Sequence, residues 1–151
     1  MLQPGQILPR LSLEGPSGTR SVAGPGNQSS LLVFLHPQPC QPCTGYLSEL
    51  ADTAGDLAQW ATNLVVVGAE SEVGAIPVLQ DKGGGGRRQL GIGQDEAAVI
   101  LVDRWGEAFE VAAFGADHGF PLPSQLVESA KILDLSGGEC NVPSPEWRED
   151  D

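Results

Sequence analysis

The sequence predicts a single α/β domain in which a central mixed sheet is flanked by helices and preceded by an extra N-terminal β-hairpin. Three observations carry that expectation. Cys40-Gln41-Pro42-Cys43 stands between the apolar run Leu31-Leu32-Val33-Phe34-Leu35 and a stretch in which Leu47, Leu50, Ala54, Leu57 and Ala61 recur at the spacing of one helical face. Leu64-Val65-Val66-Val67 follows, apolar throughout as expected of a strand covered on both faces, so strand, helix and strand read as a βαβ crossover. Ala97 to Val102, the turn Asp103-Arg104-Trp105-Gly106 and the run Glu107 to Phe114 then read as a hairpin.

Taken in order, residues 3–30 hold the turn clusters Pro4-Gly5, Gly15-Pro16-Ser17-Gly18 and Gly24-Pro25-Gly26-Asn27 around short segments such as Leu11-Ser12-Leu13 and Arg20-Ser21-Val22, which predicts a hairpin and then a loop. A strand over 31–35 leads through Pro37 and Pro39 to a helix over 42–60 and a strand over 63–68. Residues 72–82 are expected to form a short helix interrupted at Pro77. Gly83 to Gly86 reads as a run too flexible for regular structure and the most mobile internal segment. Arg87-Arg88 follows it directly, without the lysine and hydroxyl residue of a phosphate-binding loop. Pro123 opens a last helix with Leu126, Ala130 and Leu133 along one face. After Gly137-Gly138 the chain turns polar and acidic, so the domain is assigned to residues 1–138 and a tail to 139–151.

Against 8 Lys+Arg stand 20 Asp+Glu, and the formal charge of −12 repels nucleic acid and anionic membranes as partners. No stretch approaches a membrane span, and Met1 to Arg20 lacks the basic start and apolar core of a signal peptide. A cytoplasmic location is therefore expected. Three cysteines, one close pair and the distant Cys140, argue against a secreted disulfide scaffold and for redox or metal chemistry.

The redox reading follows from the helix start. Cys40 falls at or just before the first turn, where unpaired N–H groups and the positive end of the helix dipole favour an anion, so it is assigned as the attacking thiolate. Cys43 heads the buried stripe and is assigned as the resolving thiol. Pro42 suits the first turn because its missing N–H has no partner there. His36, four residues before Cys40, is the candidate to stabilise a thiolate or donate a proton. His118, in the turn 115–119, is read as structural or solvated. Zinc on Cys40, Cys43, His36 and Cys140 is the rival reading, but the second closely spaced ligand pair of a zinc site is absent, and no metal is expected. Cys140 is either a secondary resolving thiol or an incidental cysteine.

With these residues in view, the chain resembles the thioredoxin-fold redoxin group: the peroxiredoxin-like alkyl hydroperoxide reductase/thiol-specific antioxidant family and its thioredoxin-like disulfide reductase relatives. The resemblance covers most of residues 3–135. It rests on Cys40-Gln41-Pro42-Cys43 with its flanks, on Gly5, Pro9, Leu11, Leu13 and Val22, on Ile76 to Asp81, on Leu90-Gly91-Ile92, and on Ile100 to Gly106. It implies a thioredoxin-like fold, a disulfide or peroxide substrate, a thiol electron donor and no cofactor beyond the two thiols.

The departures from the family pattern are as informative. Where related reductases place a cis-proline, counted back from Asp103, this chain has Ala97, for which a cis bond costs about 3 kcal/mol; a trans peptide and an altered substrate groove are expected, with protein disulfides reduced slowly. Pro39 stands where a tryptophan usually precedes the first cysteine. Phe34 stands where those reductases keep a buried aspartate, so the usual proton acceptor for the resolving thiol is missing. The proline and threonine of the peroxidatic signature are replaced by Val33 and Pro37 relative to Cys40, and by His36 and Cys40 relative to Cys43. The sequence therefore favours a thiol:disulfide oxidoreductase. A peroxide-reducing enzyme in which Cys40 becomes a sulfenic acid is the alternative, and a redox-inert binding module on the same fold is a third reading.

Overall fold

A computed structural model describes residues 2–9, 11–15, 18–22, 29–36, 41–68, 72–73, 76–115 and 119–140. Its centre is β3 (Ser29–Phe34), which pairs in parallel with β4 (Thr62–Val67) and antiparallel with β7 (Ala97–Val102). The helix α1 (Gln41–Gln59) crosses between β3 and β4, forming the expected βαβ unit. β8 (Ala108–Phe114) completes one side of the sheet. On the other, β6 (Ile76–Leu79) runs parallel to β4 and carries the two-residue strand β5 (Glu72–Val73) at the edge, giving the order β5-β6-β4-β3-β7-β8.

The extra hairpin is present as β1 (Leu11–Gly15) and β2 (Gly18–Val22), a separate antiparallel pair with Leu11 opposite Val22. It is tied to the main sheet by reciprocal backbone hydrogen bonds between Glu14 and Gln80, at 2.9 and 2.7 Å.

Alternation along β3 divides the core in two. Leu31, Val33 and Leu35 pack with α1 and with α3 (Pro123–Cys140), whereas Leu32 and Phe34 face the N-terminal hairpin and α2 (Gly85–Leu90). β3 is apolar throughout because both its faces are covered. On α1, Leu47, Leu50 and Leu57 are fully buried, each worth about 1.5–3 kcal/mol relative to exposure. Leu126, Ala130 and Leu133 form the buried face of α3, as their spacing predicts. Among the described residues no helix is long and apolar enough to cross a membrane.

Two segments depart from the sequence reading. Residues 72–82 are not a helix interrupted at Pro77: they supply β5 and β6, with Pro77 opposite Glu72 and Val78 opposite Val66. Pairing of Val78 and Leu79 beside β4, where both are buried, outweighs the weak helical pattern. Nor are Gly83 to Gly86 without regular structure. Lys82–Gly84 is a 3₁₀ turn in which Gly83 and Gly84 take φ of 72° and 71°, and Gly85 and Gly86 begin α2. The Asp81 carboxylate accepts hydrogen bonds from the backbone N–H of Gly86 at 2.8 Å and Arg87 at 3.0 Å, satisfying donors that a helix start leaves open. α3 runs through Gly137-Gly138 to Cys140; residues 141–151 of the acidic tail lie outside the described residues.

α1 closes at Ala61, whose φ of 55° is left-handed and strained for a side chain bearing a Cβ. Ala61→Gly is expected to raise stability by about 0.5–1 kcal/mol in urea unfolding, because the native backbone there is one that glycine adopts freely. An unchanged or lower midpoint would show that the alanine methyl packs well enough to offset the strain.

Candidate functional site

β3 ends at Phe34, and the next two residues, Leu35 and His36, continue inward: Leu35 N–H still donates to the Val67 carbonyl at 2.8 Å. His36 is thereby delivered to the head of α1, and it is only 9 % exposed. Its Nδ1 lies 3.1 Å from Sγ of Cys43, and its Nε2 lies 3.2 Å from the Gly115 carbonyl oxygen at the end of β8. A carbonyl oxygen only accepts, so Nε2 carries the donated hydrogen. The neutral ring then presents a lone pair at Nδ1, and the Cys43 thiol donates to it. With the ring protonated on both nitrogens, the same geometry pairs imidazolium with thiolate.

Cys43 is the third residue of α1 and is 3 % exposed. Pro42 occupies the first turn, where the missing N–H breaks no helical bond. One turn on, Tyr46 stacks on Phe120 with ring centroids 4.2 Å apart and donates its hydroxyl to the Pro121 carbonyl at 2.7 Å. Burial, reinforced by the charge of Glu49, pushes that phenol well above its ordinary range, so it stays a neutral donor. Phe120 also meets Phe114 at 5.6 Å. The connection between β8 and α3 is thus fastened to the site twice, through Gly115 on His36 and Pro121 on Tyr46. Beside it opens a cleft of 400 Å³, lined by Pro42, Gly45, Tyr46, Glu49 and residues 120–123.

On the opposite side stands Arg87, only 3 % exposed. Its guanidinium donates to the carbonyls of Glu96 at 2.6 Å, Gly93 at 3.2 Å and Leu35, and lies 5.8 Å from the centre of the Phe34 ring. Burial lowers its pKa, while Asp81, Cys43 and Glu96 act to raise it. Ala97 is fully buried at the start of β7, next to Ala98, which pairs with Phe34. All described peptide bonds are trans, including the one before Ala97.

Of the residues singled out in the sequence, the structure brings His36 and Cys43 together. Cys40 immediately precedes α1 and lies outside the described residues, as does His118. Cys140 is the last residue of α3. Among the described residues no three His, Cys, Asp or Glu side chains converge as a metal set. Sequence proximity tied His36 to Cys40; the described contact of its ring is with Cys43. Arg87, Tyr46 and Gly115 were not foreseen. The one available signal was that Arg87 stands three residues before the core residue Leu90 on a short helix, which turns it inward.

No family model matches the chain, and no curated protein matches it in sequence. Solved structures do match. A putative thiol:disulfide interchange protein DsbE from Chlorobium tepidum superposes with a TM-score of 0.67 at 18 % identity, covering 89 % of this chain and 99 % of that one. AhpC from Enterococcus faecalis gives 0.73 at 13 % identity, over 92 % and 96 %. A peroxiredoxin-like protein from Aquifex aeolicus gives 0.70 at 15 % identity, over 87 % and 88 %. The chain has a thioredoxin-like fold with an extra N-terminal hairpin.

Proposed function

We propose that this thioredoxin-fold chain is a thiol:disulfide oxidoreductase in which Cys40 attacks, Cys43 resolves and His36 takes the resolving proton. The observation that carries the reading is the 3.1 Å contact between His36 Nδ1 and Cys43 Sγ at the head of α1, with the ring oriented by Gly115. Support at the level of the fold comes from structures described as a thiol:disulfide interchange protein and as a pneumococcal exposed lipoprotein thioredoxin.

Cys40 directly precedes α1 in the sequence, and a helix start favours a thiolate. That thiolate attacks one sulfur of a substrate disulfide, forming a mixed disulfide and releasing the first substrate thiolate. Cys43 then loses its proton to His36 Nδ1 and its sulfur attacks Cys40, releasing the second thiolate and closing the Cys40–Cys43 disulfide. The protons lost by the two cysteines reach the two leaving thiols. An external thiol donor reverses the sequence and resets the pair. No cofactor takes part.

Peroxide reduction is the second reading, favoured by the superposition on AhpC. There Cys40 would become a sulfenic acid and Cys43 would condense with it, releasing water. The test is turnover on insulin, glutathione disulfide and hydrogen peroxide with wild type, Cys40→Ser and Cys43→Ser. Disulfide reduction by the wild type is expected to fall at least about 10³-fold in both variants, as when a nucleophile is removed. Peroxide consumption without disulfide reduction would replace the proposal by the second reading; neither activity would leave a binding module.

A further inference from the structure

Pro42, Gly45, Tyr46 and Glu49 fall at i, i+3, i+4 and i+7 of α1, so they share one face of the helix, and that face is one wall of the 400 Å³ cleft. Pro42 lies between the two cysteines of the redox pair, so the cleft begins beside it. The other wall is apolar: Phe120 is held against Tyr46 by stacking, and Leu122 is left 60 % exposed. Gly45 keeps the floor between them open. Glycine inside a helix is less stable than alanine, yet no crowding demands it here, since a Cβ at this position meets no atom within 4 Å. Its missing side chain leaves space in the cleft. Glu49 is the one charged side chain among the described residues lining it, and it is exposed.

We infer that this cleft is the substrate subsite beside the redox pair, and that it selects polypeptide disulfides whose cysteine is flanked by an apolar side chain and, about three residues away, by Lys or Arg. The spacing comes from the helix: Pro42 to Glu49 is a rise of about 10 Å, the length of about three residues of extended chain. A small aminothiol disulfide carries its cation too close to the sulfur to span that distance. The apolar side chain fits over Gly45 between Pro42 and Leu122, and the cation meets the Glu49 carboxylate, which no basic residue lining the cleft neutralises. The inference deepens the disulfide-exchange reading and rests on it for the role of the bound segment.

The peptide Lys-Leu-Ala-Cys-Ala-Leu-Lys, blocked at both ends and joined through its cysteine to 5-thio-2-nitrobenzoate, probes the subsite in either chain direction. In Cys43→Ser/Cys140→Ser the Cys40 thiolate attacks the peptide sulfur, a Cys40–peptide disulfide forms, and coloured thionitrobenzoate leaves with the electron pair of the broken S–S bond. One reaction per molecule is read, so a failure of the catalytic reading, seen as no repeated turnover of disulfides by the wild type, is a separate result. Cys40 is expected to react about tenfold faster with this peptide than with one carrying Glu for both Lys, from an attraction and a repulsion of about threefold each. Glu49→Gln should reduce that ratio to about twofold. Glu107→Gln, which removes an exposed acid at the end of the β7–β8 hairpin remote from His36, should leave it unchanged. Peptides with Leu are also expected to react about tenfold faster than those with Ser in its place. Gly45→Leu fills the cleft and should abolish that preference while the melting temperature holds or rises, because leucine is the better helix former. Equal loss of the Lys preference in Glu49→Gln and Glu107→Gln would assign it to the net charge of −12 and overturn the inference. A Leu preference that survives Gly45→Leu, or no preference for Lys over Glu at all, overturns it as well.

Discussion

Replacing His36 by asparagine is expected to slow disulfide reduction by about 10²-fold or more, the usual effect of losing a positioned general base. The loss should fall on one step. Attack by Cys40 needs no proton from Cys43, so the mixed disulfide still forms; its resolution needs Cys43 to lose a proton, and Nδ1 of His36, 3.1 Å away, is the acceptor the structure supplies. Asparagine can accept a hydrogen bond there but cannot hold the proton at neutral pH. The mixed disulfide between Cys40 and substrate should therefore accumulate in the variant and be visible by mass after acid quenching. Its decay should also quicken about tenfold for each unit of added pH, because Cys43 must then ionise into solvent before it attacks. Equal turnover in variant and wild type, or loss of activity with no trapped mixed disulfide, would remove His36 from the resolving step.

The buried aspartate that the resembled reductases keep six residues before the first cysteine is Phe34 here, and Phe34 belongs to the core beneath the hairpin. In the proposed mechanism the acceptor role falls to His36, two residues along the chain, whose Nδ1 lies against Cys43. Sequence reading located both residues but not the contact of His36 with Cys43. A histidine and a cysteine seven residues apart have no geometry that sequence spacing fixes; the hydrogen bond of Nε2 to Gly115, 79 residues away, orients the ring. What periodicity defines was legible: β3, α1, β4 and β7 are where apolar spacing puts them, because each buries a continuous face. The segments that failed were those whose local preference is weak. Ile76 to Leu79 becomes a strand through pairing with β4, and four glycines become a turn and a helix start through the Asp81 carboxylate. Arg87 was unreadable for a related reason. An arginine on a short helix looks like a surface residue until carbonyls from Leu35, 52 positions away, and from the segment before β7 are folded around it.

Phe34→Ala is expected to cost about 3–5 kcal/mol, a large share of the 5–15 kcal/mol that holds a domain of ordinary stability together. The ring is fully buried on β3, which is paired on both sides by β4 and β7 and cannot shift to close the space. Its loss leaves a cavity against Leu32, Ile100 and Leu90, whose own faces are already covered. The ring also lies 5.8 Å from the guanidinium carbon of Arg87, so a favourable contact with a desolvated cation disappears with it. Phe34→Leu separates the two contributions. Leucine fills most of the volume and should cost about 1–2 kcal/mol, but it offers no aromatic face to Arg87. Urea unfolding of both variants measures the packing contribution, and the part of the loss that Phe34→Leu does not recover by volume is assigned to the aromatic contact. A cost below about 1 kcal/mol for Phe34→Ala would mean that this part of the core rearranges around β3, contrary to its two-sided pairing.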